Sequence, residues 1–200
     1  MSSPVLWYAT RATGLVALCL LTAAMVLGTL TATRVSSRRW PGFAQQDLHR
    51  NVSLIAVAFL ALHILTSVLD TFVHIGWAAV VVPFTSAYKR LWVGIGTIGF
   101  DLMIAVLVTS LLRHHMSARL WRAVHWLVYL SWPVAVAHAF GMGTDMRLRW
   151  VTDLTIACIV AAVCAAAWRL TWFVGRRQRA LALASIRDRP DGVSVKHIVT

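Results

Sequence analysis

An all-α bundle of membrane-spanning helices is the fold this sequence predicts, from its composition, the length of its apolar runs and the placement of its charge. Hydrophobic residues make up 59% of the 200 and charged residues 13%, against about 45–50% and about 25% in soluble globular chains. The uncharged runs approach the about 20 residues that a helix needs to cross a hydrocarbon core of about 30 Å. The formal charge of +12 lies in short segments between those runs and not on one basic face, as the positive-inside rule distributes it. Nucleic acid is therefore excluded as a partner, and membrane lipid is the surface this chain meets. Five spans nearly fill the length and leave no room for a soluble catalytic domain.

Residues 12–33 form the first run, bounded by Arg11 and Arg34. It exceeds the about 7–15 apolar residues of a cleaved leader and reads as a span. A polar loop follows, with Arg34, Arg38, Arg39 and Arg50 around Trp40-Pro41-Gly42. The second run, 51–69, has His63 inside it and His49 at its mouth. Residues 71–88 are also uncharged but carry Gly76 and Pro83. The turn chemistry of Pro83-Phe84-Thr85-Ser86 favours a re-entrant or interfacial loop, with a sixth span as the alternative. The third run, 91–112, is interrupted only by Asp101, and the fourth, 123–144, contains His125, Pro133 and His138. The fifth, 151–175, has Asp153 and Arg169 near its ends. Residues 1–175 thus form one membrane domain. Residues 176–200 are expected to be a basic, partly disordered tail, helical near 180–186.

Orientation follows from the basic residues. The first loop carries four Arg; the loop at 113–122 carries Arg113, Arg119 and Arg122 beside His114 and His115; the tail opens with Arg176, Arg177 and Arg179. The alternate segments are weaker, with Lys89 and Arg90 offset by Asp70, and Arg147 and Arg149 by Asp145 and Asp153. This bias places the N-terminus outside a plasma membrane and the C-terminus in the cytoplasm. Seven of the ten Trp residues, among them Trp7, Trp40, Trp77 and Trp150, fall near span ends, as an aromatic belt requires.

Ionisable groups inside a bilayer are expensive, so four intramembrane histidines need a reason. His49 and His63 are 14 residues apart and His125 and His138 are 13 apart, about 21 and about 19.5 Å of helix rise. The second and fourth spans run in the same direction, so side by side they set His49 level with His125 and His63 level with His138. Each level is then a pair of imidazoles, good ligands for iron, inside a bundle where cofactors are commonly held. Fourteen residues return to within about 40° of the starting face, but thirteen miss it by about 140°. A kink at Pro133 is the expected repair. Cys19, Cys158 and Cys164 lie in apolar runs without a CxxC or CxxCH, so any haem would be held by non-covalent ligation.

The segments Leu48-His49-Arg50…Leu62-His63 and Trp121-Arg122-Ala123-Val124-His125…Ala137-His138 resemble the ferric reductase-like transmembrane domain family, which includes the membrane cores of NADPH oxidases and metalloreductases. The resemblance covers roughly residues 7–172. Pro83-Phe84-Thr85-Ser86 and Gly141-Met142-Gly143-Thr144-Asp145 are similar to segments of its small bacterial members. It implies two molecules of haem b, ligated by His49, His63, His125 and His138, that pass electrons from a cytoplasmic donor to an extracytoplasmic acceptor. It also implies that Arg11 lies near the outer haem as a propionate counter-ion; a snorkelling interface anchor is the other reading. The oxidases continue into a flavin and nicotinamide domain, whereas no GxGxxG follows a strand here. The donor is accordingly expected to be a separate flavoprotein, ferredoxin or quinol.

Asp101 reads as a proton relay, as a partner of a ligating histidine, or as a hydrogen-bonded structural residue. His74, His114, His115 and His197 are placed in loops and tail. Gly14, Gly28, Gly94, Gly96 and Gly99 let helices, or a macrocycle, approach closely. Two rival functions stand beside electron transfer: a quinol-linked cytochrome subunit of a separate extracytoplasmic reductase, and a non-redox transporter or assembly factor with structural histidines.

Overall fold

Thirty residues with a single charge, Arg11, wind into α1 (Pro4–Thr33), the centre of the molecule. The structure is a computed structural model that describes residues 4–35, 40–71, 73–143 and 147–187. Arg38, Arg39, Thr144, Asp145, His197 and the rest of the tail from 188 lie outside the described residues. Thr22, Thr29 and Thr33 of α1 are buried, and each hydroxyl donates back to the carbonyl four residues earlier. That satisfies the hydroxyl within its own helix, where no water is at hand.

Pro41, extended at ψ 150°, starts α2 (Gly42–Leu69). Gln45 fastens the α1–α2 connection, donating from Nε2 to Val35 O (2.6 Å) and Trp40 O (3.1 Å). The two helices run antiparallel and α2 packs mainly on α1. Residues 71–88 do not form a span among the described residues. They fold as turns around a short α3 (Ala78–Val81) laid on α4 (Arg90–Leu111). Thr97 of α4 donates to Ala79 O (2.6 Å), Arg90 Nε to Phe84 O (2.5 Å), and the Phe84 ring lies against Gly94. A side chain at 94 would collide with that ring, so this glycine is what lets the loop sit down on α4.

A 3-10 turn at Arg113–His115 leads to α5 (Ala118–His125), capped by the Ser117 hydroxyl, which accepts from Leu120 N (3.3 Å). The fourth span is then interrupted: Trp126 and Leu127 separate α5 from α6 (Val128–Met142). An interruption thus lies six residues before Pro133, which itself sits inside α6. Leu127, Tyr129 and Leu130 donate to carbonyls three residues back, to Val124, Trp126 and Leu127. Three residues per turn advance about 120° each against about 100° in an α-helix, so this stretch recovers roughly 60–80° of the mismatch between positions 125 and 138.

The final helix, α7 (Arg149–Arg187), passes without a break through 175, where hydropathy places the end of the fifth span. The core lies between α1, α6 and α7, with Leu18 and Met25 against Trp132, Val136, Cys158 and Ala162. Aromatic donors and acceptors stitch these helices to the α1 threonines: Trp132 Nε1 donates to Thr22 Oγ1 (2.9 Å), Trp168 Nε1 to Thr33 Oγ1 (3.3 Å), and Thr29 Oγ1 meets Tyr129 Oη at 2.9 Å. Among the described residues five helices are long and apolar enough to cross a membrane, counting α5 and α6 as one span. The chain is a multi-pass membrane protein of all-α architecture.

Candidate functional site

The antiparallel pairing of α1 and α2 brings two glycines to two histidines. A Cβ at Gly14 would lie 2.8 Å from His63 Nδ1, and one at Gly28 would lie 3.0 Å from His49 Cε1. Each imidazole fills the notch that a glycine leaves, and one helical turn earlier finds an acceptor. His63 Nδ1 is 2.8 Å from Thr10 O and His49 Nδ1 is 2.9 Å from Ala24 O. The same arrangement recurs between α4 and α6: a Cβ at Gly96 would lie 2.5 Å from His138 Nδ1, which is 2.8 Å from Trp92 O. In all three cases the glycine stands four residues after the acceptor. The carbonyl of residue i in a helix points toward residue i+4, so removing the side chain there opens that carbonyl to a third party.

A carbonyl oxygen can only accept, so Nδ1 carries the proton in each of these three rings. Nε2 of the neutral ring is then left with a free lone pair, ready for a metal.

His125 departs from the pattern. Its ring stacks on Trp121 (4.9 Å between centroids, 25° between planes), and its Nδ1 is buried without a hydrogen-bond partner among the described residues. Position 109 lies thirteen residues beyond Gly96, as His125 lies thirteen before His138. It holds Thr109 in place of glycine, and the Thr109 hydroxyl donates to Ala105 O (2.7 Å). That carbonyl is already engaged.

The four rings meet in two pairs. His49 and His125 have centroids 6.5 Å apart with planes at 74°; His63 and His138 are 6.3 Å apart at 82°. Two imidazoles on opposite sides of one metal, with bonds of about 2.0–2.1 Å and each centroid about 1.2 Å behind its nitrogen, stand about 6.4 Å apart. Among the described residues no group of three or more His, Cys, Asp or Glu converges on a metal position. The donor set is two facing imidazoles per level, residues that could hold a haem between them. An apolar cavity of about 60 Å³ lies between the levels, lined by Leu21, Leu60, Gly99, Phe100, Met103 and Trp132 among others.

Arg11 follows Thr10 directly and so lies at the His63 level, its guanidinium 3.9 Å from the centre of the Trp7 ring. The Thr10 hydroxyl beside it is buried with no hydrogen-bond partner among the described residues. Asp101 is exposed on α4, and among the described residues no hydrogen bond joins it to any of the four histidines. His74, His114 and His115 are exposed and stand apart from both pairs. The acceptor carbonyls of Thr10, Ala24 and Trp92 are what sequence reasoning missed. A signal existed: Gly14 and Gly28 repeat the 14-residue interval of His49 and His63.

The sequence pattern of the family described as ferric reductase like transmembrane component matches residues 13–136, a stretch that includes His49, His63 and His125 and ends two residues before His138. A similar protein is the protein-methionine-sulfoxide reductase heme-binding subunit MsrQ of Caulobacter vibrioides, 36% identical over 96 residues. That alignment takes in 46% of this chain and 42% of the relative, so the match spans less than half of each. No solved structure matches the chain.

Proposed function

Because the chain belongs to the ferric reductase-like transmembrane family, we propose that it carries electrons across a membrane through two b-type haems, from a cytoplasmic donor to an extracytoplasmic acceptor. The haems, when bound, supply a one-electron couple at each level. The observation that carries this reading is the pairing of four imidazoles at two levels, at 6.5 and 6.3 Å, with three of them fixed through Nδ1. The residues' own work is to hold: His49 with His125 on the cytoplasmic side, His63 with His138 on the outer side. Gly14, Gly28 and Gly96 admit the rings, and Thr10, Ala24 and Trp92 set their tautomer. A haem held by two imidazoles per level would supply electron transfer and not a place for substrate at iron. Arg11 is proposed as a charge partner for the outer haem's propionates.

Residues 1–175 are the haem-binding membrane domain and 176–200 its basic extension, in a plasma membrane with the N-terminus outside. The chain is an oxidoreductase component served by a separate flavoprotein, ferredoxin or quinol. A second reading has a specific support: the Caulobacter vibrioides relative is named as a subunit of a reductase. On that reading the acceptor is a separate extracytoplasmic reductase, and this chain is its cytochrome subunit.

The test is a reduced-minus-oxidised and pyridine haemochrome spectrum of the purified protein, with haem counted per chain. Two b-type haems are expected, and His63→Ala is expected to lose one of them. A colourless protein would overturn the proposal and favour a transporter or assembly factor with structural histidines.

A further inference from the structure

The His49–His125 level carries buried polar atoms besides the two imidazoles. Arg169 of α7 has a buried guanidinium nitrogen, Nη1, without a hydrogen-bond partner among the described residues, and no carboxylate there pairs with it. Its guanidinium carbon lies 5.5 Å from the Trp126 ring centre and 5.7 Å from that of Trp172. Both are close to the about 6 Å limit of a cation–π contact and supply no hydrogen-bond acceptor to Nη1. Trp121 Nε1, a donor only, is likewise buried and unpartnered among the described residues. Its ring stacks on His125 at 4.9 Å, and the Arg113 guanidinium lies 4.7 Å from its centre. Arg169 borders Trp126, the residue after His125, and Trp121 stacks on His125 itself, so both adjoin that level. Two buried donor nitrogens, Arg169 Nη1 and Trp121 Nε1, both without an acceptor among the described residues, suit an anion with oxygen atoms at that level.

We infer that Arg169 and the indole N–H of Trp121 form a carboxylate-binding subsite at the His49–His125 level that takes the propionate groups of the haem held there. Arg113 is a positioning residue, fixing the Trp121 ring through its stack. The subsite rests on the two-haem reading above. An anionic lipid headgroup offers similar oxygen chemistry and is the alternative source of the anion.

The experiment uses the haem-loaded protein in bilayer discs, read by potentiometric titration of each haem and by the propionate bending band in the resonance Raman spectrum. The haem that His49→Ala loses identifies the level. Arg169→Gln removes the cation that offsets the propionate charge, so ferric iron is favoured and the midpoint of that haem falls while the other stays. Arg169→Lys restores the midpoint toward that of the unaltered protein. Trp121→Phe keeps the ring stack and moves the Raman band of the same haem. Should Arg169→Gln fail to accumulate, the Lys and Phe variants read the same band. Retained haem with an unmoved midpoint and band in all three overturns the subsite alone. A midpoint that differs between phosphatidylcholine and phosphatidylglycerol discs, and ceases to differ in Arg169→Gln, assigns the anion to lipid and also overturns it. Absence of haem from the unaltered protein overturns the two-haem reading and the subsite with it.

Discussion

A histidine whose Nδ1 is spent on a backbone carbonyl has one tautomer and one ring plane before anything binds, and His49, His63 and His138 are in that state. Losing such an outer partner typically weakens metal affinity by about 10–100-fold. Gly14→Ala would place a methyl 2.8 Å from His63 Nδ1 and push the ring off Thr10 O. It is expected to bring haem per chain from two toward one, measured by pyridine haemochrome. Gly42→Ala, with nothing within 4 Å of its new methyl, is expected to leave the count unchanged. The histidines were legible because intramembrane His at 14- and 13-residue intervals has few other reasons to exist. Their acceptors were not, because a backbone carbonyl leaves no mark in a sequence; only the glycine that uncovers it does. Asp101 is the contrasting case. A carboxylate in mid-span invites a role, yet its side chain is exposed and among the described residues no hydrogen bond joins it to the four paired histidines.

At the scale of elements, the fourth span carries an interruption that its sequence does not announce. Proline is the residue that usually kinks a helix, so Pro133 drew the expected bend to itself. The interruption falls at Trp126–Leu127, where hydrogen bonds tighten to three-residue spacing, and nothing in those two residue types announces it. Pro133→Ala is therefore expected to retain both haems with unchanged midpoints, as potentiometric titration would report. A variant that lost the His125 level would instead return the bend to the proline. The 71–88 segment was legible as a loop from Gly76 and Pro83, and its seat on α4 depends on the Phe84 ring meeting Gly94. Hydropathy set the end of the fifth span at 175, but α7 continues to Arg187 because Ala- and Leu-rich residues sustain a helix after apolarity falls.

Across the whole molecule, α2 is the least buried of the five spans. It packs mainly on α1, while α5 and α6 face it across the histidine pairs. Whatever bridges those pairs therefore ties α2 to the rest of the bundle. Protein made in haem-starved cells is expected to exchange amide protons faster in α2 than in α1 or α7, with the difference abolished on loading. Binding at a hundred times Kd adds about 2.7 kcal/mol to stability, so Tm should rise on loading. Equal exchange in loaded and unloaded protein would remove this role. The exposed Trp40, Trp77 and Trp150 lie at helix ends, where their amphipathic rings suit a headgroup region. At 39 residues α7 is about 58 Å long, nearly twice the about 30 Å of hydrocarbon it has to cross.

The matched intervals of Gly14 with Gly28 and His49 with His63 turn the first two helices into a key with two teeth. Sliding them by one turn seats neither ring, since Thr10, Leu18, Ala24 and Ala32 all carry a Cβ. The distance between the levels is thus gauged by the helix pair and not by its cargo. One alanine inserted between Gly14 and Gly28 turns one notch about 100° away from the other. Such a protein is expected to seat one ring at a time and to load a single haem, whichever level wins. Two haems in that variant would mean that the teeth are ornamental.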